Sequence, residues 1–98
     1  YIKEFESHFM PVEGFSAAYL FMIEGKKHPL LIDVKEEELT VRYGNEDAID
    51  VYAKVSSDVM DNIINGRITF QRAFMTGSMT AKGNFKTLRM LDTLFSFS

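Results

Sequence analysis

The chain has 98 residues, 46% hydrophobic and 26% charged, with a mass of 11.2 kDa; at this size one core forms, which excludes a second domain and intrinsic disorder. Eleven Lys and Arg face fourteen Asp and Glu, and the net charge of -3 argues against nucleic-acid binding and against electrostatic attraction to anionic membranes. Cysteine is absent, excluding disulfides, thiolate metal sites and thiol nucleophiles.

Residues 1–15 carry a weak helical signal, with Ile2, Phe5 and Phe9 at helical spacing and Pro11 and Gly14 as breakers. Four strand-like runs follow. Ala17 to Glu24 is apolar on both sides, Ala18, Leu20 and Met22 against Tyr19, Phe21 and Ile23, as an interior strand requires. Pro29 to Val34 places Leu30, Ile32 and Val34 on one face. Glu38 to Tyr43 alternates Leu39, Val41 and Tyr43 with Glu38, Thr40 and Arg42. Ile49 to Val55 sets Ile49, Val51, Ala53 and Val55 against Asp50, Tyr52 and Lys54. The period of two in the last two runs predicts a sheet with one wet face.

At Ser56 the period lengthens. Ser57 or Asp58 can cap a helix of about two turns whose apolar face is Val59, Met60, Ile63 and Ile64 and which ends at Gly66. Thr69 can cap a second short helix carrying Phe70, Ala73 and Phe74, stopped by Gly77. Ser78 to Lys82 then predicts a fifth strand closed by Gly83. Behind Asn84, a good N-cap, Phe85, Leu88, Leu91, Leu94 and Phe95 fall at helical spacing, and Met90 widens the stripe. Lys86, Thr87, Arg89, Asp92 and Thr93 of that final helix are expected to face water.

No catalytic constellation emerges. His8 and His28 lack partners at ligand spacing and read as solvent-facing. Glu36, Glu37 and Glu38 read as a solvated turn rather than paired acids. Gly77 and Gly83 are too far apart for a dinucleotide fingerprint. Lys82, Lys86 and Arg89 surround Phe85, but Asp92 is close by and Phe85 belongs to the apolar stripe, so core packing is the better account of it. The chain is therefore expected not to be an enzyme, and no cofactor or metal is expected. Nine Phe and six Met with no Trp describe an interior that adapts to irregular shapes, by ordinary packing or around a bound lipid.

The run from Gly66 through Ala73, Phe74, Met75, Thr76 and Gly77 to Gly83 resembles the signature of the sterol carrier protein type-2 domain. That family has a Gly ending a helix, then Ala-Phe-Met-x-Gly, then a short strand ending in Gly before the last helix. The order from Asp50 through Ile64 is similar too, and the resemblance extends over roughly residues 17–98. It implies an α+β fold: a five-stranded, mostly antiparallel, mixed and twisted sheet with helices packed on one face, enclosing an apolar tunnel for fatty acids, fatty acyl-CoA or sterols. The chain departs from the pattern at Ser78, where Lys is frequent, and in its reduced first helix.

On this reading residues 1–98 form a single lipid-binding domain, with 1–16 as a remnant of the first helix. The expected cavity lining is Tyr19, Phe21, Val41, Phe74, Met75, Met79, Phe85, Leu88, Leu91 and Phe95, although plain core packing fits the same residues. The expected ligand is a lipid or fatty acyl group, with no nucleic acid and no stable membrane insertion, since no apolar run approaches the roughly 18 residues of a transmembrane helix. The alternative is a structural or oligomerisation domain with a filled core, forming a homodimer or packing on other domains of a parent protein. The first residue is Tyr1, so the sequence is expected to be a piece of a longer polypeptide. The N-terminus lacks the order of a signal peptide, and Ser96, Phe97, Ser98 is not a Ser-Lys-Leu address, so a cytoplasmic, bacterial setting is expected.

Overall fold

The computed structural model describes residues 1–97; Ser98, the last residue of the terminal tripeptide, lies outside the described residues. A short helix, α1 (Ile2–Ser7), precedes a meander of three strands, β1 (Ser16–Ile23), β2 (Leu30–Lys35) and β3 (Glu38–Tyr43). The meander is antiparallel throughout, with Tyr19 opposite Ile32 and Ile32 opposite Val41. Tyr19, Ile32 and Val41 are thus aligned across the meander and give the sheet its apolar inner face, while Ala18, Leu20 and Leu31 on the other side are buried as well.

The chain then crosses to the other side of β1. Strand β4 (Val51–Val55) runs parallel to β1, with Phe21 opposite Ala53. Strand β5 (Met79–Gly83) closes the sheet antiparallel to β4, giving the order β3-β2-β1-β4-β5. The sheet is therefore mixed, with one parallel pair at its centre. The fourth strand starts at Val51 rather than Ile49 because Asp50 makes the preceding contacts itself. Its carboxylate accepts the Ala18 N–H at 2.8 Å, and its own N–H donates to the Ala18 carbonyl at 2.9 Å.

Four more helices, α2 (Ser57–Ile64), α3 (Phe70–Met75), α4 (Phe85–Arg89) and α5 (Leu91–Leu94), supply the rest of the apolar layer. The cap of α2 is Ser56, not Ser57 or Asp58: its Oγ accepts the Val59 N–H at 3.2 Å, three residues on, where a capping oxygen reaches. Thr69 and Asn84 cap α3 and α4 as expected, accepting the Arg72 and Thr87 N–H groups at 3.0 and 3.1 Å.

The expected single C-terminal helix is broken at Met90. In an unbroken helix the Thr87 carbonyl would take the Leu91 N–H. Here it accepts the Tyr19 hydroxyl at 2.6 Å and the Met90 N–H at 3.2 Å. A tertiary hydrogen bond from the sheet thus diverts the carbonyl that would have carried the helix through, and α5 continues on a shifted path.

Candidate functional site: the apolar interior

The inner sheet face presents Tyr19, Phe21, Ile32, Val34 and Val41, and the helices cover it with Met60, Ile63, Leu88, Leu91 and Leu94, all buried. No polar or charged residue is buried among the described residues. The middle of this layer is aromatic. The Phe5 ring, fully buried, lies 5.0 Å from Phe95 and 5.4 Å from Phe97, both edge-on, and 6.3 Å from Phe70. Phe21 reaches Phe70 at 5.8 Å. Edge-on and tilted contacts at these separations are favourable ring arrangements, so the cluster fills its space efficiently.

Two terminal segments close the cluster. Phe9 and Phe95 form an antiparallel bridge, and the Met10 N–H donates to the Leu94 carbonyl at 2.7 Å. Phe97, half-buried, lies beside Phe95 and under the His8 ring. Beside it a cleft of about 70 Å³ is lined by Ile63, Gly66, Ile68, Thr69, Asp92, Phe95 and Phe97.

The ten residues expected to line a cavity divide three ways. Tyr19, Phe21, Val41, Met79, Leu88, Leu91 and Phe95 lie together in the buried layer. Phe74 packs at its edge. Met75 and Phe85 instead project into solvent, at 73% and 63% exposure. Residues that sequence reasoning left out of the site are Phe5, Phe70 and Phe97, the hub of the cluster. Phe5 had a faint signal in the helical spacing of residues 1–9, whereas Phe97 had none.

Asp92 also departs from expectation. Instead of facing water, its two carboxylate oxygens accept the Phe70 and Gln71 N–H groups at 2.8 and 2.9 Å. It thereby satisfies the start of α3 from α5 and fixes the two helices against each other.

Tyr19 brings a hydroxyl into the layer. Burial, with the Asp50 carboxylate adding to it, raises its proton affinity well above the usual phenol range. Tyr1 is pushed up to about 12, by burial first and then by its hydrogen bond to Asp61. Unfolded phenols titrate near 10, so both contributions are fully present below about pH 10 and are lost as pH rises through the folded values. Folding stability is therefore expected to fall above about pH 10, and Tyr19→Phe is expected to flatten that fall in urea titrations. An equally steep fall in the variant would remove Tyr19 as a cause. Among the described residues no group of three or more His, Asp or Glu is placed to hold a metal.

An open mixed sheet with helices over one apolar face is the sterol-carrier fold. The chain belongs to the SCP-2 sterol transfer family, whose model matches residues 10–96. Sterol carrier protein 2 from Yarrowia lipolytica, in its apo form, is 26% identical with a TM-score of 0.65, over 82% of this chain and 70% of that one. A stereoselective inverting sec-alkylsulfatase from Pseudomonas sp. is also 26% identical, with a TM-score of 0.70 over 88% of this chain. This chain spans only 14% of the sulfatase. A palmitated sterol carrier protein 2-like protein from Aedes aegypti, 17% identical with a TM-score of 0.63, shares the fold over 82% of this chain and 73% of its own. No curated protein sequence matches the chain. No helix among the described residues is long and apolar enough to cross a membrane.

Proposed function

We propose that the chain is a non-catalytic module that holds one apolar lipid, a fatty acid, fatty acyl-CoA or sterol-like molecule, between the sheet and the helices. The observation that supports this reading is the chemistry of the interior, which offers apolar surface and the Tyr19 phenol, with no buried charge among the described residues. Such a lining selects for hydrocarbon: each methylene buried contributes about 0.8 kcal/mol, while a carboxylate or phosphate would have to stay at the rim. Ligand sites usually measure about 300–1,000 Å³, against the cleft of about 70 Å³ beside Phe97. Binding therefore displaces side chains of the cluster. Phe97 is the member best placed to yield, since it is half-buried and borders that cleft.

Native mass spectrometry with organic extraction, followed by titration with a fluorescent fatty acid, tests the reading. One lipid per chain, or saturable micromolar uptake, is the expected result, and Phe97→Ala is expected to speed uptake by opening the cleft. No bound lipid and no uptake by either form would overturn it. A second reading is favoured by the match to the sulfatase over 88% of this chain and by the interior already filled with Phe side chains. On that reading the domain is an accessory unit of a larger protein, and the same experiment gives a lipid-free chain.

A further inference from the structure

Charge in this molecule is segregated along the chain. From Arg67 onward there are five cations, Arg67, Arg72, Lys82, Lys86 and Arg89, against the single carboxylate Asp92. The preceding 66 residues carry six cations against thirteen carboxylates. Asp92 is moreover engaged by the backbone N–H groups of α3. The whole-chain value of -3 conceals a cationic region.

The same region carries the two most exposed large apolar side chains, Met75 and Phe85. They sit on adjoining elements: Phe74, next to Met75, packs its ring 5.6 Å from Phe85. Arg72 lies one turn before Met75 on α3, while Lys86 follows Phe85 on α4 and Arg89 lies one turn beyond it. All three cations are exposed. The close contacts between basic and acidic side chains among the described residues join His8 to Glu4 and Lys35 to Asp33, so these cations are free of carboxylate partners.

Two bare apolar side chains set among unpaired cations match the boundary of a bilayer that carries anionic headgroups: hydrocarbon enters the acyl boundary and cations meet the lipid charges. Screening makes the local cluster count for more than the net charge, because fields fade over about 8 Å at physiological salt. We propose that the α3–α4 face docks peripherally on anionic phospholipid bilayers, with Met75 and Phe85 entering the headgroup layer and Arg72, Lys86 and Arg89 contacting the headgroups. Docking is separate from the ligand reading, since fatty-acid uptake is measured in solution without vesicles and either can fail alone.

The test is co-sedimentation of the 98-residue chain with phosphatidylcholine vesicles, with and without phosphatidylglycerol. Binding is expected only with phosphatidylglycerol, and is expected to weaken roughly tenfold between about 0.1 M and about 0.5 M salt. The double variant Lys86→Glu, Arg89→Glu is expected to bind at least roughly twentyfold more weakly, and Phe85→Ser several-fold more weakly, with unchanged circular dichroism. Lys27→Glu, in the turn between β1 and β2, is expected to bind like the parent. Equal binding to neutral vesicles, no binding to anionic ones, undiminished binding by the double variant, or an equal loss with Lys27→Glu would each overturn the assignment.

Discussion

Gly83→Ala is expected to destabilise the fold by about 3 kcal/mol, from steric overlap and backbone strain together. Gly83 has φ +130, and a Cβ there would collide with the Asp50 carbonyl oxygen and press on the Asp50 and Val51 backbone. Those atoms cannot yield cheaply, because Asp50 is held to Ala18 by two hydrogen bonds and Gly83 pairs with Val51 in the sheet. Gly77 supplies the control: its φ is +80 but a Cβ added there would have nothing within 4 Å, so Gly77→Ala is expected to cost only about 1 kcal/mol. Urea unfolding of both variants measures the difference. Equal midpoints would mean that the β4–β5 junction relaxes and that Gly83 is not a close-approach position.

Phe5→Ala is expected to cost about 3–5 kcal/mol, the range for a fully buried Phe whose cavity cannot collapse. Its ring touches Phe21, Phe70, Phe95 and Phe97, which come from the sheet, α3 and the C-terminal segment. Deleting it therefore removes the shared neighbour of elements that are distant in sequence. Phe85→Ala, by contrast, is expected to cost less than about 1 kcal/mol, because that ring is mostly in water. Chemical denaturation of the two variants side by side distinguishes an organising aromatic from an exposed one. If Phe5→Ala stayed within about 1 kcal/mol of the parent, α1 would be an appendage and not part of the core.

Strand β3 was legible because a half-buried strand writes a period of two into its sequence, and Glu38–Tyr43 begins and ends where that alternation does, whereas β1 was legible as a short run apolar on both sides. The caps Thr69 and Asn84 were legible for a similarly local reason, since a capping oxygen reaches an N–H three residues away. The break at Met90 was not, because Met suits a helix interior and the disturbance comes from Tyr19, 68 residues away at Thr87. The tie from Asp92 to α3 was hidden in the same way, since a carboxylate on the polar side of a helical stripe looks solvated until the neighbouring helix start is in place. Phe85 follows the apolar spacing but emerges into water, because that spacing holds only for one continuous helix and the chain breaks at Met90 into α4 and α5. In the candidate site, the seven buried residues were readable as apolar positions facing a common layer. Their packing around Phe5 and Phe97 was not, since Phe5 shows only a faint helical spacing with Ile2 and Phe9, and Phe97 shows none.

The order of strands has a consequence in time. In a chain made from its N-terminus, β1, β2 and β3 are complete at Tyr43, yet every helix that covers their inner face except α1 follows Val55. At about 5–20 residues per second of synthesis, the meander spends several seconds with Tyr19, Phe21, Ile32 and Val34 uncovered. Nascent chains of this domain thus carry the apolar residues of β1–β3 before most of the helices that cover them have been made, and that stage is the one most exposed to chaperone capture and to self-association.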